Sequence, residues 1–492
     1  MSVISTPSLR NPDGSGGAEL SPITTAAIDR SCRLPLVVLF LSAAVWLLIA
    51  SAFELITSIK FHAPAFLADS AWLTYGRARP AATSSMLYGF GLQAGLGVAL
   101  WMLARLGRTK LAAPGLVIVG ALCWNLGVTA GVVGILLGGN TGYENLEMPP
   151  YAATLIFLGY LVMVLWAVVT FHRRRERQLY VSQWFLFAGL FWFPWTYSTA
   201  NLLLLSFRVR GIAQAVIAWW YSDNLRVVWI GLVGLASAFY FLPKLASREL
   251  HSRYLALLTF WSLLLFGSWG GIPASAPVPA WMPVLSAVAT MLGVIPALAV
   301  ALNVHWTLGG RWSRLAEHAS LRFVGFGLVA FVLATLASVA TGLPAISQVT
   351  HFTWFTVARD FLNSYGFFAM VMFGAIYYIL PQLMGEAFPF PRLVQAHFWI
   401  GAAGVLLFVV PLAIGGIVQG LKLQRAAIPF TDIAKGTLPF LRASTIGDVL
   451  IALGHLMFLT NLAALVARFC RLRAVAAWAE ATAVAGTAEA TS

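Results

Sequence analysis

The residues of this chain most able to do chemistry are ionisable side chains set in long apolar stretches, because a charge inside a bilayer is costly and is kept for a reason. Asp223 and Arg226 stand at the start of one such stretch, Arg359 and Asp360 at the start of another, and Asp448 and His455 lie in the last. A carboxylate beside a guanidinium could hold an ion, pass a proton or lock two helices together. The plainer alternative for these charges is a position near the membrane interface, from which long side chains reach headgroups or water. For His455, alone in its stretch, a hydrogen-bonded place in the core is the expectation over metal ligation.

Other chemistries lack the residues to carry them. Cys32, Cys123 and Cys470 are the only cysteines and lie far apart, so there is no disulfide framework, Cys-x-x-Cys pair or haem-attachment motif. No Gly-x-x-x-x-Gly-Lys phosphate loop occurs. The 43 glycines fit close helix packing. The 33 Phe and 19 Trp fit lipid-facing, core and interfacial places rather than a cofactor box.

The elements that must position these groups are twelve apolar stretches, near 33–58, 84–104, 112–138, 151–171, 181–206, 224–243, 253–271, 279–304, 320–342, 353–382, 395–419 and 446–467. Each approaches the roughly 20 apolar residues a helix needs to cross a bilayer, and none alternates as a barrel strand would. The expected fold class is an all-α polytopic membrane protein, a twelve-helix bundle. Counting Lys and Arg by side puts 20 with the two termini and alternate loops and 9 on the other side, with Arg226 and Arg359 in or beside spans. The positive-inside rule then places both termini in the cytoplasm. The same loops account for most of the net charge of +14, so nucleic acid is not an expected partner; the lipid bilayer is. Residues 1–32, without periodicity, read as a disordered cytoplasmic tail, 33–470 as the membrane domain and 471–492 as a short cytoplasmic tail. The stretch 33–58 is too long for a cleaved signal peptide.

Seven local motifs, in order over roughly 40–470, resemble those of the catalytic subunit I of cbb3-type cytochrome c oxidases, in the haem–copper oxidase superfamily. They are Tyr75-Gly76-Arg77-Ala78-Arg79-Pro80; Gly142-Tyr143-Glu144-Asn145-Leu146-Glu147-Met148-Pro149; Tyr180-Val181-Ser182-Gln183-Trp184-Phe185; Trp219-Trp220-Tyr221-Ser222-Asp223-Asn224; Phe373 to Pro381; His397-Phe398-Trp399; and Gly416-Ile417-Val418-Gln419-Gly420. The resemblance implies the oxidase twelve-helix fold, a low-spin haem and a haem–copper pair held by six histidines, and oxygen reduction with electrons from cytochrome c.

Each implied ligand position departs from that pattern. Ala82 falls where the low-spin haem ligand would stand, Asp223 at a copper ligand, and Arg359 and Phe361 at the pair that would hold both haems. The copper pair expected after Phe266-Gly267-Ser268-Trp269 is replaced by Gly270-Gly271-Ile272-Pro273. No shift of alignment restores them. The eight histidines are His62, His172, His251, His305, His318, His351, His397 and His455, which leaves the four ligand-bearing spans without any.

The sequence therefore predicts a respiratory-chain subunit of prokaryotic inner-membrane type with no catalytic, cofactor-binding or metal-binding residues. Neither haem nor copper is expected. It would act as a structural or accessory subunit beside other membrane respiratory subunits, a cytochrome c subunit among them. Two other classes stand beside it. One is an active terminal oxidase subunit with unusual ligation. The other is a transporter or channel reusing the emptied core, suggested by polar Asp223, Arg359, Asp360 and Asn363. Two structural expectations follow. Asp223 and Arg359 would form an ion pair if the fold brings them together, and Phe361 would fill part of the space the family gives to haem.

Overall fold

The computed structural model describes residues 24–310 and 313–490, with side chains described to 478. Among the described residues twelve main helices follow one another. They are α1 Thr25–His62, α2 Tyr75–Leu106, α3 Pro114–Leu136, α4 Pro150–His172, α5 Val181–Asn201, α6 Ile212–Ala246, α7 Arg253–Gly267, α8 Trp281–Leu308, α9 Ala319–Gly342, α10 Trp354–Met384, α11 Pro391–Leu423 and α12 Phe430–Ala490. Ten of them are long and apolar enough to cross a membrane. The other two are α5, with Trp, Tyr, Ser and Thr among its apolar residues, and the 15-residue α7. At 1.5 Å per residue α7 spans about 22 Å, less than a bilayer core. Its expected extension to 271 turns instead into a loop through Gly270 and Gly271.

Prolines at first helical positions start α3, α4 and α11, where a missing N–H costs nothing. Gly385, at φ +70°, ends α10. The N-terminal boundary moves from the sequence reading. Residues 1–23 lie outside the described residues, but 25–32 are helical rather than disordered. The Thr24 hydroxyl accepts from the Ala27 N–H, and Asp29 is buried against Trp101 and Arg105. The Arg33 guanidinium lies over the Phe469 ring at 5.0 Å, so α1 begins at the end of the bundle where α12 passes residue 469.

Helices α2, α6 and α10 form the interior. Their apolar windows are 94%, 83% and 83% buried, against half or less for the other membrane-length helices. Each carries a π-helical segment: Ser85–Gly91 in α2, Asn224–Trp229 in α6 and Leu362–Ala369 in α10. Such segments re-aim side chains and recur at functional sites. Around this interior α3 packs along α4, and α1 and α11 along α12. Small residues let the backbones close. A Cβ on Gly447 of α12 would lie 2.7 Å from the Phe408 nitrogen of α11.

Helix starts also move. α6 begins at Ile212 and α12 at Phe430, well ahead of the apolar stretches at 224 and 446. Asp223, Arg226 and Asp448 therefore sit well inside helices, where the interfacial alternative had put them near span ends.

Candidate functional site

Helices α6 and α10 meet through charged side chains. Arg226 of α6 donates to Asp360 of α10 at 2.5 Å, and its guanidinium also reaches Glu144 of the α3–α4 loop at 3.0 Å. Arg359 turns onto the other oxygen of its neighbour Asp360, with Nη2 at 2.8 Å and Nε at 3.0 Å, and gives Nη1 to the Thr341 hydroxyl of α9 at 3.1 Å. Asn363, one turn on, donates to the Arg226 carbonyl at 2.8 Å. Asp360 thus carries two guanidinium groups, and the chain Glu144–Arg226–Asp360–Arg359 ties α6, α10 and the loop together. The Arg226, Arg359 and Asp360 side chains are 22–24% exposed, so water screens them only in part.

The expected ion pair between Asp223 and Arg359 is not made. Both line one cavity of about 590 Å³, with Arg226, Asp360 and Asn363, but Arg359 is taken up by Asp360. The Asp223 side chain instead fits against the Gly270–Gly271 turn. A Cβ on Gly271, at φ +94°, would lie 2.6 Å from the Asp223 Cβ, and one on Gly270 would run into the Asp223 carboxylate. The turn can pass there only because those positions have no side chain. His351, before α10, reaches the edge of the same cavity, and burial followed by the Arg359 charge holds its imidazole below the usual range.

A second cavity of about 320 Å³ lies between α1, α2, α10 and α12. Ala82 and Phe361 line it. Phe361 stacks on Tyr365 at 5.2 Å and packs on Phe408 at 4.1 Å, so its ring faces the bundle interior and takes up part of this space. Glu54 of α1 and Arg79 of α2 pair along one wall. Asp448 of α12 stands near them, 4% exposed, and its Oδ2 has no hydrogen-bond partner among the described residues. His455 is a connected core residue: Nδ1 meets the Ser51 hydroxyl at 2.5 Å and Nε2 the Tyr365 hydroxyl at 2.6 Å. Glu144, Arg226 and Asp360 line both cavities, so the ion-paired chain is their common wall.

The motif loop Gly142 to Pro149 closes this end of the site. Thr141 holds it with a hydroxyl bond to the Leu146 carbonyl at 2.8 Å. Asn145, at φ +59°, donates to the Ser222 hydroxyl at 2.7 Å and accepts from Tyr88, whose hydroxyl meets that of Tyr221 at 2.8 Å. Glu147 is buried against Ser84 at 3.3 Å. Burial pushes its carboxyl up to about 7, against the pull of the Glu147 and Asn145 amides.

Sequence reasoning named Arg226 and Asp360 but gave the pairing to their neighbours. It missed Glu54, although an acid inside the first apolar stretch was a readable signal. Donor chemistry is sparse around both cavities. Ala82 offers a methyl group, Phe361 a phenyl ring and Arg359 a cation. The nitrogens of His455 are engaged. Among the described residues no group of three or more His, Cys, Asp or Glu is placed to hold a metal ion. These residues do not fit two haems and a copper ion, which require several neutral nitrogen donors.

A bundle of long apolar helices around three inner, π-bulged helices is the architecture of an integral membrane protein. The sequence profile described as Cytochrome C and Quinol oxidase polypeptide I matches residues 35–450, and the chain belongs to that family. Relatives include a cytochrome c oxidase subunit 1 homolog of Azorhizobium caulinodans, 25% identical over 90% of this chain and 84% of that protein. The cbb3-type cytochrome c oxidase subunit CcoN1 of Stutzerimonas stutzeri is 25% identical over 85% and 90%. A nitric oxide reductase subunit of the same organism is 26% identical over 52% of this chain and 57% of its own. A solved heme-copper terminal oxidase dimer superposes with a TM-score of 0.70 over 88% of this chain and 84% of its own, at 16% identity, and confirms the fold. At 25% identity to these oxidase subunits the chain is a divergent member of the family.

Proposed function

We propose that this chain is a haem- and copper-free member of the oxidase subunit I family, acting as a structural or accessory subunit in the inner membrane beside other respiratory subunits. A cytochrome c subunit is the partner the family suggests, and both termini face the cytoplasm in this reading. One observation carries it. Where the resemblance puts metal ligands stand a methyl group, a carboxylate, a guanidinium and a phenyl ring, and α6 and α10 are joined by Arg226–Asp360 at 2.5 Å. The test is a visible absorption spectrum and metal analysis of the purified chain, with oxygen uptake on reduced cytochrome c. The expected result is no Soret band, copper well below one per chain and no uptake above background. Stoichiometric haem with turnover would establish the oxidase with unusual ligation instead.

The two cavities favour a second reading, a transporter or channel. Volumes of about 590 and 320 Å³ suit small ligands, and polar groups line both. Flux of small ions and solutes into vesicles containing the purified chain separates this from a purely structural subunit.

A further inference from the structure

We propose that the cavity between α1, α2, α10 and α12 is a binding site for a small primary ammonium ion with an apolar body, held by Asp448. The site stands apart from the accessory-subunit reading and holds with or without respiratory partners. Its volume, about 320 Å³, lies at the lower end of the range of small-molecule sites. Most of its wall is apolar, from Leu47, Leu87, Ile230, Phe368 and Ile451. Into it Asp448 presents a carboxylate that is 4% exposed and whose Oδ2 has no partner among the described residues. A buried oxygen left in that state is expensive, and a donor from a ligand removes the cost.

The surrounding charges select the sign. Arg79, the nearest cation, is committed to Glu54. Arg226 is committed to Asp360 and Glu144. Ser51 and Tyr365 already bond His455, and Ser58 bonds Thr445 and stands against the Asp448 carboxyl. Carboxylates therefore outnumber free cations around the cavity, which disfavours an anion. A bare metal ion is disfavoured too, since no group of three acidic, His or Cys side chains surrounds it among the described residues. A primary ammonium group brings three N–H donors, enough for Asp448 Oδ2 and its neighbours, while its hydrocarbon part lies on the apolar wall. A quaternary ammonium ion has the charge but no donor. Glu144, 63% exposed on its side chain, lines the cavity and marks the end from which a cation would enter.

The experiment titrates the purified full chain with cyclohexylammonium chloride at neutral pH by calorimetry and thermal shift, with cyclohexanol and tetramethylammonium chloride as probes of charge and of donors. Saturable stabilisation by cyclohexylammonium alone is expected. Asp448→Asn, which keeps the shape and removes the charge, should weaken it about tenfold or more. Ala82→Val, which takes up cavity volume away from the carboxylate, should weaken it without touching the charge. Absence of saturable binding, equal binding of cyclohexanol, or equal affinity in Asp448→Asn would overturn the proposal. If Asp448→Asn does not fold, the wild-type comparison of amine with alcohol and the Ala82→Val variant decide it.

Discussion

Asp360→Asn removes the charge on which two guanidinium groups converge and keeps the side chain's size. In the native protein Arg226 lies 2.5 Å and Arg359 2.8 Å from its oxygens. Breaking a fully buried ion pair on one side costs about 3–5 kcal/mol, because the other charge is left behind. Here the side chains are 22–24% exposed and line a cavity, so screening reduces the loss to about 2 kcal/mol. Arg226 keeps Glu144 in the variant, and Arg359 keeps only Thr341. The assay is thermal unfolding of the purified chain, followed by loss of the monodisperse peak on size exclusion. Asp360→Asn should melt clearly below wild type. A double-mutant cycle with Arg226→Met should show coupling, the double variant losing less than the sum of the single ones. Asp223→Asn, which breaks no ion pair, should lose less than Asp360→Asn. Additive behaviour in the cycle, or an Asp223→Asn loss larger than that of Asp360→Asn, would refute the assignment of the helix lock to Asp360.

Three further outcomes are expected. Glu147 binds its proton more tightly folded than unfolded, with a carboxyl at about 7 against a usual 4.5, so it favours the folded chain at low pH and loses that contribution as pH rises from about 4.5 to 7. Glu147→Gln should remove this slope and stabilise the protein at pH 8 by on the order of 3 kcal/mol at most, read from melting against pH. Gly420→Ala drives a methyl group into the Val349 carbonyl, a backbone atom that cannot rotate away, and should cost about 1–3 kcal/mol or prevent folding, seen as lost monodisperse yield. His455→Leu leaves the Ser51 and Tyr365 hydroxyls without their shared partner and should cost about 2 kcal/mol in the same melting assay, with no change in the visible spectrum.

The class of fold was legible because bilayer length and apolar composition act on each stretch alone, without tertiary context. Helix starts were not. Residues 212–223 and 430–445 mix polar and apolar side chains, yet they are helical and neighbouring helices and loops satisfy them: the Tyr221 hydroxyl meets that of Tyr88 at 2.8 Å, the Ser222 hydroxyl accepts from Asn145, and Thr445 meets Ser58 at 2.8 Å. That error placed Asp448 near a span end, when it lies buried eighteen residues into α12. The motif loop was visible as a pattern, but its role as a clamp through Asn145 on Ser222 and Tyr88 depends on the fold. Gly416 to Gly420 was likewise visible, and its meaning is packing. Gly416 meets the Phe355 backbone, Gly420 meets Val349, and the Gln419 Oε1 accepts from the Trp354 N–H at 3.2 Å, which seats the start of α10 on α11.

Pairing within the centre was the least legible part, since sequence spacing cannot say which of two adjacent charges faces which cavity. Along α10 a step of two residues turns the helix by about 200°, and the structure uses that turn. Arg359 lines the larger cavity and Phe361 the smaller, while Asp360 between them lines both. A single carboxylate on the dividing wall can therefore hold Arg226 on one oxygen and Arg359 on the other. Had the acid stood at 359 or 361, it would have served one cavity alone. The π-helical segment that follows, Leu362–Ala369, directs Asn363 back to the Arg226 carbonyl and Tyr365 toward His455. The polar groups on these inner helices have partners among other side chains of the same chain. That is how the inner helices of this chain are joined. The interior stays organised where charges pair as Arg226, Asp360 and Arg359 do, and the Asp448 Oδ2, without a partner among the described residues, marks the cavity proposed above for a ligand.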